Sequence, residues 1–132
     1  MKKHHILLID DDLDEFEFFI MALENMPDSF KCTYAAGAKE ALKLLNTTVP
    51  DIIFLDMNMP LLNGWECLEQ IKKMDSCRQV PVVFYSTYMD NSIEKKASEA
   101  GVYQCIKKPV LPGLVEDMLI RIFYQFDRAI PA

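Results

Sequence analysis

The chain has 132 residues, 51% of them apolar and 26% charged, which suits one compact domain with a sizeable core and leaves too little for two. Its formal net charge of -6 and pI near 4.8, with Lys and Arg in no run longer than a pair, disfavour direct binding to nucleic acid. Cys32, Cys67, Cys77 and Cys105 form no C-x-x-C pair and indicate neither a zinc site nor a disulfide framework. No apolar run approaches the roughly 18 residues of a membrane span, so the expected setting is the cytoplasm, with no membrane partner.

Short apolar runs alternate with longer stretches of helical period. Residues 5–9 read as the first strand, and His4 and His5 are taken as structural or exposed. After Asp10-Asp11-Asp12, the spacing of Leu13, Phe16, Phe19, Ile20, Leu23 and Met26 predicts a helix ending before Pro27. Residues 30–35 form a second strand and 38–45 a second helix, with Ala41, Leu42 and Leu45 inward. Residues 51–55 then read as a strand, apolar without interruption after Asp51, the pattern of a central strand covered on both faces.

A loop rich in turn formers, 57–64, leads into a helix carrying Trp65, Leu68 and Ile71. The fourth strand, 82–85, follows Pro81. Asp90 or Asn91 caps a fourth helix with a sparse stripe of Ile93, Ala97 and Ala100, which Gly101 ends. Residues 103–106 make the last strand. From Leu111 through Leu114, Val115, Met118, Leu119, Ile122 and Phe123 to Phe126 runs the strongest helical stripe in the chain, before a loose tail from Arg128. Five strands and five helices in strict alternation, with right-handed crossovers, predict an α/β flavodoxin-like three-layer (βα)5 sandwich. Its parallel five-stranded sheet would take the order 2-1-3-4-5.

In that architecture the strand ends share one edge, the edge where ligands bind. Asp10, Asp11 and Asp12 follow the first strand, Asp56 the third, Ser86 the fourth, and Lys108 the fifth. Carboxylates converging there are costly without a cation, and oxygen ligands of this kind suit magnesium. The pleat and the turn into the helix decide which acids enter the pocket. Asp12, Asp14 and Glu15 fit the start of the first helix, whose positive end favours acids. A carboxylate at position 56 can ligate metal, act as a base, or accept a phosphoryl group.

Ile9-Asp10-Asp11-Asp12, Leu55-Asp56 with Met59-Pro60 and Gly64, Ser86 after Pro81-Val82-Val83, and Lys108-Pro109 together resemble the receiver domain of two-component response regulators. The likeness extends from Ile6 to about Phe126. It implies one stand-alone receiver over 1–132, with a core of about 4–127 and no effector domain. Asp56 is then the phosphoacceptor, with a sensor histidine kinase or histidine phosphotransfer protein as donor. Mg2+ (or Mn2+) is held by Asp11, by Asp10 mainly through water, and by the main-chain carbonyl of Asn58. Ser86 and Lys108 read the phosphoryl group, and the peptide before Pro109 is expected to be cis, aiming the lysine inward. Asn58 and Tyr88 fall where receivers tune the lifetime of the acyl phosphate.

One departure concerns the switch, made up here of Ser86, Thr87, Cys105 and Tyr103. The family usually has Tyr or Phe where this chain has Cys105, and strand alternation would put Tyr103 on the same face as a partial substitute. Output is expected through the surface of helix 4, strand 5 and helix 5, by recognition of a target protein, by homodimerisation, or within a phosphorelay. A magnesium-dependent phosphohydrolase of haloacid-dehalogenase type is a weaker alternative, because Asn58 stands where such enzymes place a second Asp. A flavin carrier is disfavoured by acids in the first loop, and a degenerate, unphosphorylated receiver by the intact acid and lysine set.

Overall fold

A computed structural model describes residues 3–26 and 29–129. The strands are β1 (Lys3–Ile9), β2 (Ser29–Ala35), β3 (Ile52–Leu55), β4 (Val82–Ser86) and β5 (Gln104–Lys107). The helices are α1 (Leu13–Glu24), α2 (Ala38–Leu45), α3 (Gly64–Lys72), α4 (Asn91–Glu99) and α5 (Leu114–Ala129). All strand pairs are parallel in the order β2-β1-β3-β4-β5, the expected flavodoxin-like arrangement.

Alternation along the central strands divides the interior in two. Leu7, Ile9, Ile53, Leu55, Val82 and Phe84 pack with α2, α3 and α4. Ile6, Leu8, Ile52, Phe54, Val83 and Tyr85 pack with α1 and α5. All four residues of β3 are fully buried, which is why its sequence is apolar without interruption. Among the described residues, no helix is long and apolar enough to cross a membrane.

Local chemistry sets the helix starts. Asp12 caps α1 by accepting from the Asp14 amide at 3.0 Å, and Asp90 caps α4 by accepting from the Ile93 amide at 2.8 Å. Asn63 and Glu66 form a reciprocal capping box at α3. The stripe expected on α5 is shorter than its sequence pattern: Leu111 and Leu114 are exposed because the helix begins only after the Pro112-Gly113 turn. Leu13 and Ala100, at helix ends, are likewise exposed. Pro27, the Phe126 side chain and the end of the tail lie outside the described residues.

The last strand differs from expectation in one respect. Tyr103 lies in a bend before β5, its amide donating to the Val82 carbonyl at 2.8 Å, so pleat alternation does not reach it. It packs on the α1/α5 side while Cys105 packs on the α2/α3/α4 side. Tyr103 therefore does not share the face of Cys105, and it stands at the end of β5 away from Lys108.

Candidate functional site

Register brings the acids together. Ile9 pairs with Leu55, so the next residues, Asp10 and Asp56, emerge side by side from the two central strands. Tyr85 pairs with Ile106 and Ser86 with Lys107, which delivers Ser86 and Lys108 to the same edge. Carboxylate oxygens of Asp10, Asp11 and Asp56 lie within 4.8 Å of one another. Lys108 Nζ is 2.7 Å from Asp10 Oδ2 and 3.6 Å from Asp56 Oδ2.

The turn into α1 decides between the neighbouring acids. Asp10 is fully buried and accepts from the Asp12 amide at 2.9 Å, whereas Asp11 is exposed at the pocket mouth and Asp12 serves the helix. Asp56, 5% exposed, accepts from the Asn58 amide at 3.1 Å. The exposed Asn58 reaches back, its Nδ2 donating to Ser86 Oγ at 3.4 Å. Ser86 is buried, Thr87 exposed and Cys105 half-buried. Tyr88 donates to Asp90 Oδ2 at 2.8 Å and so leans toward the α4 cap.

Every peptide bond among the described residues is trans, including Lys108–Pro109, so the expected cis peptide is not found. The lysine enters the pocket by another route. Its amide donates to the Ser86 carbonyl at 2.7 Å, carrying the β4–β5 ladder one residue past the strand and keeping the side chain on the Asp10 side.

Gly64 shapes the floor beneath Asp56. A Cβ there would meet Met57 Cα at 2.6 Å and the Asp56 carbonyl at 2.8 Å, so only glycine lets α3 begin against this backbone. The Gly64 amide closes the loop by donating to the Met57 carbonyl at 2.9 Å.

The electrostatics show an excess of negative charge. Burial pushes the Asp10 carboxyl up to about 6, despite the hydrogen bonds from Lys108 and the Asp12 amide. Burial also raises Asp56, opposed by the Asn58 amide and by Lys108. For Lys108, burial favours the neutral amine, but its hydrogen bond to Asp10 and the charges of Asp10, Asp56 and Glu15 outweigh this and raise its pKa. One ammonium thus faces three clustered carboxylates, and the hard oxygen donors of Asp10, Asp11 and Asp56 fit a divalent cation.

Two residues, Tyr85 and Glu15, reach the site although the sequence alone does not place them in the pocket. The Tyr85 ring lies beneath Lys108, with Nζ 5.7 Å from its centroid, and its hydroxyl donates to Glu15 Oε2 at 3.4 Å. The available signal was parity: Val83 and Tyr85 alternate onto the α1 side, and Glu15 stands one turn before the buried Phe19.

Comparison with known proteins agrees with this arrangement. Residues 6–120 match the response regulator receiver domain family. The chain is 30% identical over 126 residues to an uncharacterized 14.6 kDa protein from the sodA1 3' region of Leptolyngbya boryana, covering 96% of this chain and 92% of that one. It is 32% identical over 111 residues to protein-glutamate methylesterase/protein-glutamine glutaminase 1 of Caulobacter vibrioides, covering 83% of this chain but only 31% of that longer protein. Among solved structures, the phosphorylated cyanobacterial phytochrome response regulator RcpA shares the fold with a TM-score of 0.80 at 24% identity, over 92% of this chain and 91% of that one. The chain belongs to the response regulator receiver domains, phosphorylatable signalling modules that bind a divalent cation and take their phosphoryl group from histidine kinases.

Proposed function

We propose that Asp56 is the phosphoacceptor of this receiver and that Asp10, Asp11, Asn58, Ser86 and Lys108 serve it. The observation that carries this reading is the Lys108 ammonium placed between the buried carboxylates of Asp10 and Asp56, at 2.7 and 3.6 Å. An Asp56 oxygen attacks the phosphorus of a phosphohistidine, the phosphorus–nitrogen bond breaks, and the imidazole leaves with the electron pair. The product is an acyl phosphate on Asp56. Lys108 neutralises charge on the phosphoryl oxygens, and Ser86, whose Oγ accepts from Asn58 Nδ2, donates its hydroxyl proton to one of them.

Asp11, Asp10 (mainly through water) and the Asn58 carbonyl would hold Mg2+ (or Mn2+), which when bound would further neutralise charge on the phosphoryl group. The donor is a sensor histidine kinase or a histidine phosphotransfer protein in the cytoplasm. Phosphorylation switches the α4–β5–α5 surface, where Ile120 and Tyr124 are exposed, toward a target protein or a second copy. Thr87 and Cys105 lie along this route. With Cys105 in place of an aromatic, movement of the loop after Ser86 carries the signal.

The test uses the full chain with magnesium and acetyl phosphate, read by intact mass. One phosphoryl group per chain is expected, lost in Asp56→Asn. Folded wild type that gains no mass overturns the reading.

A further inference from the structure

Tyr85 is fully buried at the end of β4, one residue before Ser86. Its ring is wedged edge-on between Phe19 of α1, at 5.4 Å, and Phe54 of β3, at 5.9 Å. Packing alone would be met by phenylalanine, the residue at the neighbouring buried positions 54 and 84. The extra hydroxyl demands a partner in the interior, and it finds Glu15 Oε2 at 3.4 Å. Glu15 in turn is a half-buried acid added to an edge already crowded with Asp10, Asp12 and Asp56. Neither residue is what stability by itself selects.

What the pair does accomplish is geometric. The Lys108 ammonium has carboxylates of Asp10 and Asp56 on one side and the face of the Tyr85 ring, at 5.7 Å, on another. A ring face attracts a cation without offering a hydrogen-bond acceptor that would capture it. The ammonium can therefore shift from Asp10, its nearer partner, toward a phosphoryl oxygen on Asp56 while remaining supported. The hydroxyl tether fixes the ring, and through Glu15 it fixes the first turn of α1.

We propose that Tyr85, anchored by its hydroxyl to Glu15, is a positioning residue for phosphoryl transfer, holding the Lys108 ammonium in register with Asp56. This rests on the assignment of Asp56 as the acceptor. It is specific to this chain's Tyr85–Glu15 pair and gives the pocket a link to α1 that does not pass through Cys105.

The experiment measures phosphorylation of the full chain by acetyl phosphate with magnesium, as maximal rate and donor half-saturation, beside thermal melting. Tyr85→Phe and Glu15→Ala are each expected to lower the maximal rate about threefold to tenfold, with half-saturation unchanged within about twofold. Glu15→Gln, which keeps an acceptor for the hydroxyl, should restore most of the rate. The double variant Tyr85→Phe/Glu15→Ala should be no slower than the slower single, because both remove one tether. Wild-type maximal rates in both singles overturn the proposal, as do losses that multiply in the double variant. Wild type that takes no phosphoryl group, like Asp56→Asn, would instead defeat the assignment of Asp56 itself and this inference with it.

Discussion

Lys108 Nζ lies closer to Asp10, at 2.7 Å, than to Asp56, at 3.6 Å. The ammonium thus makes its shortest contact with the deepest carboxylate and not with Asp56. That ordering leaves it free to be drawn toward Asp56 once charge accumulates there.

Removing that ammonium leaves buried carboxylates without their cation. Lys108→Ala is expected to destabilise the chain by about 1–3 kcal/mol at pH 7 and by less at pH 4, where the acids neutralise themselves. Urea unfolding at the two pH values checks this; an equal loss at both would be inconsistent with a role in charge compensation.

Asp10 makes stability depend on pH in a defined direction. Its folded carboxyl, pushed up from 3.8 to about 6, binds a proton that the unfolded carboxyl has already released. The contribution is complete below pH 3.8 and is lost as pH rises through about 6, a loss of about 3 kcal/mol. Asp10→Asn should flatten this part of the profile in metal-free buffer. Magnesium should restore stability increasingly above pH 6, since ligands must be ionised to bind it.

Gly64 predicts a coupled loss. Gly64→Ala forces a methyl group against the Met57 and Asp56 backbone, at 2.6 and 2.8 Å. A destabilisation of about 2–3 kcal/mol is expected, with a phosphorylation rate below wild type in the fraction that remains folded. Chemical denaturation and acetyl phosphate labelling of the same sample measure the two effects.

Leu61 predicts a gain. It adopts a left-handed φ of 71° and is 99% exposed, so it carries backbone strain without burying its side chain. Leu61→Gly should stabilise by about 0.5–1 kcal/mol and leave phosphorylation by acetyl phosphate unchanged. A lower melting temperature in this variant would show that Leu61 makes a contact in the native state.

Much of the architecture was legible because its signals are local. The uninterrupted apolar run of β3 reports burial on both faces, and Asp12 and Asp90 announce helix starts by their own side-chain hydrogen bonds. The candidate site was legible for a topological reason: in a parallel sheet, residues that follow strands meet at one edge, so Asp10, Asp56, Ser86 and Lys108 converge however far apart they stand in sequence.

Other features depend on how a turn or a register resolves in three dimensions. Which aspartate is buried followed from the turn into α1, which sends Asp10 inward and Asp11 to the mouth. Tyr103 missed the Cys105 face because a bend interrupts alternation just before β5. The lysine reached its pocket through a trans peptide because the ladder from Ser86 had already set its direction. The Tyr85–Glu15 contact joins residues 70 apart in the chain. Sequence periodicity by itself determined the elements, their order and the edge where the chemistry gathers. Only the tertiary structure decided which side chains touch there, because contact depends on the relative placement of separate elements, and no local preference encodes that.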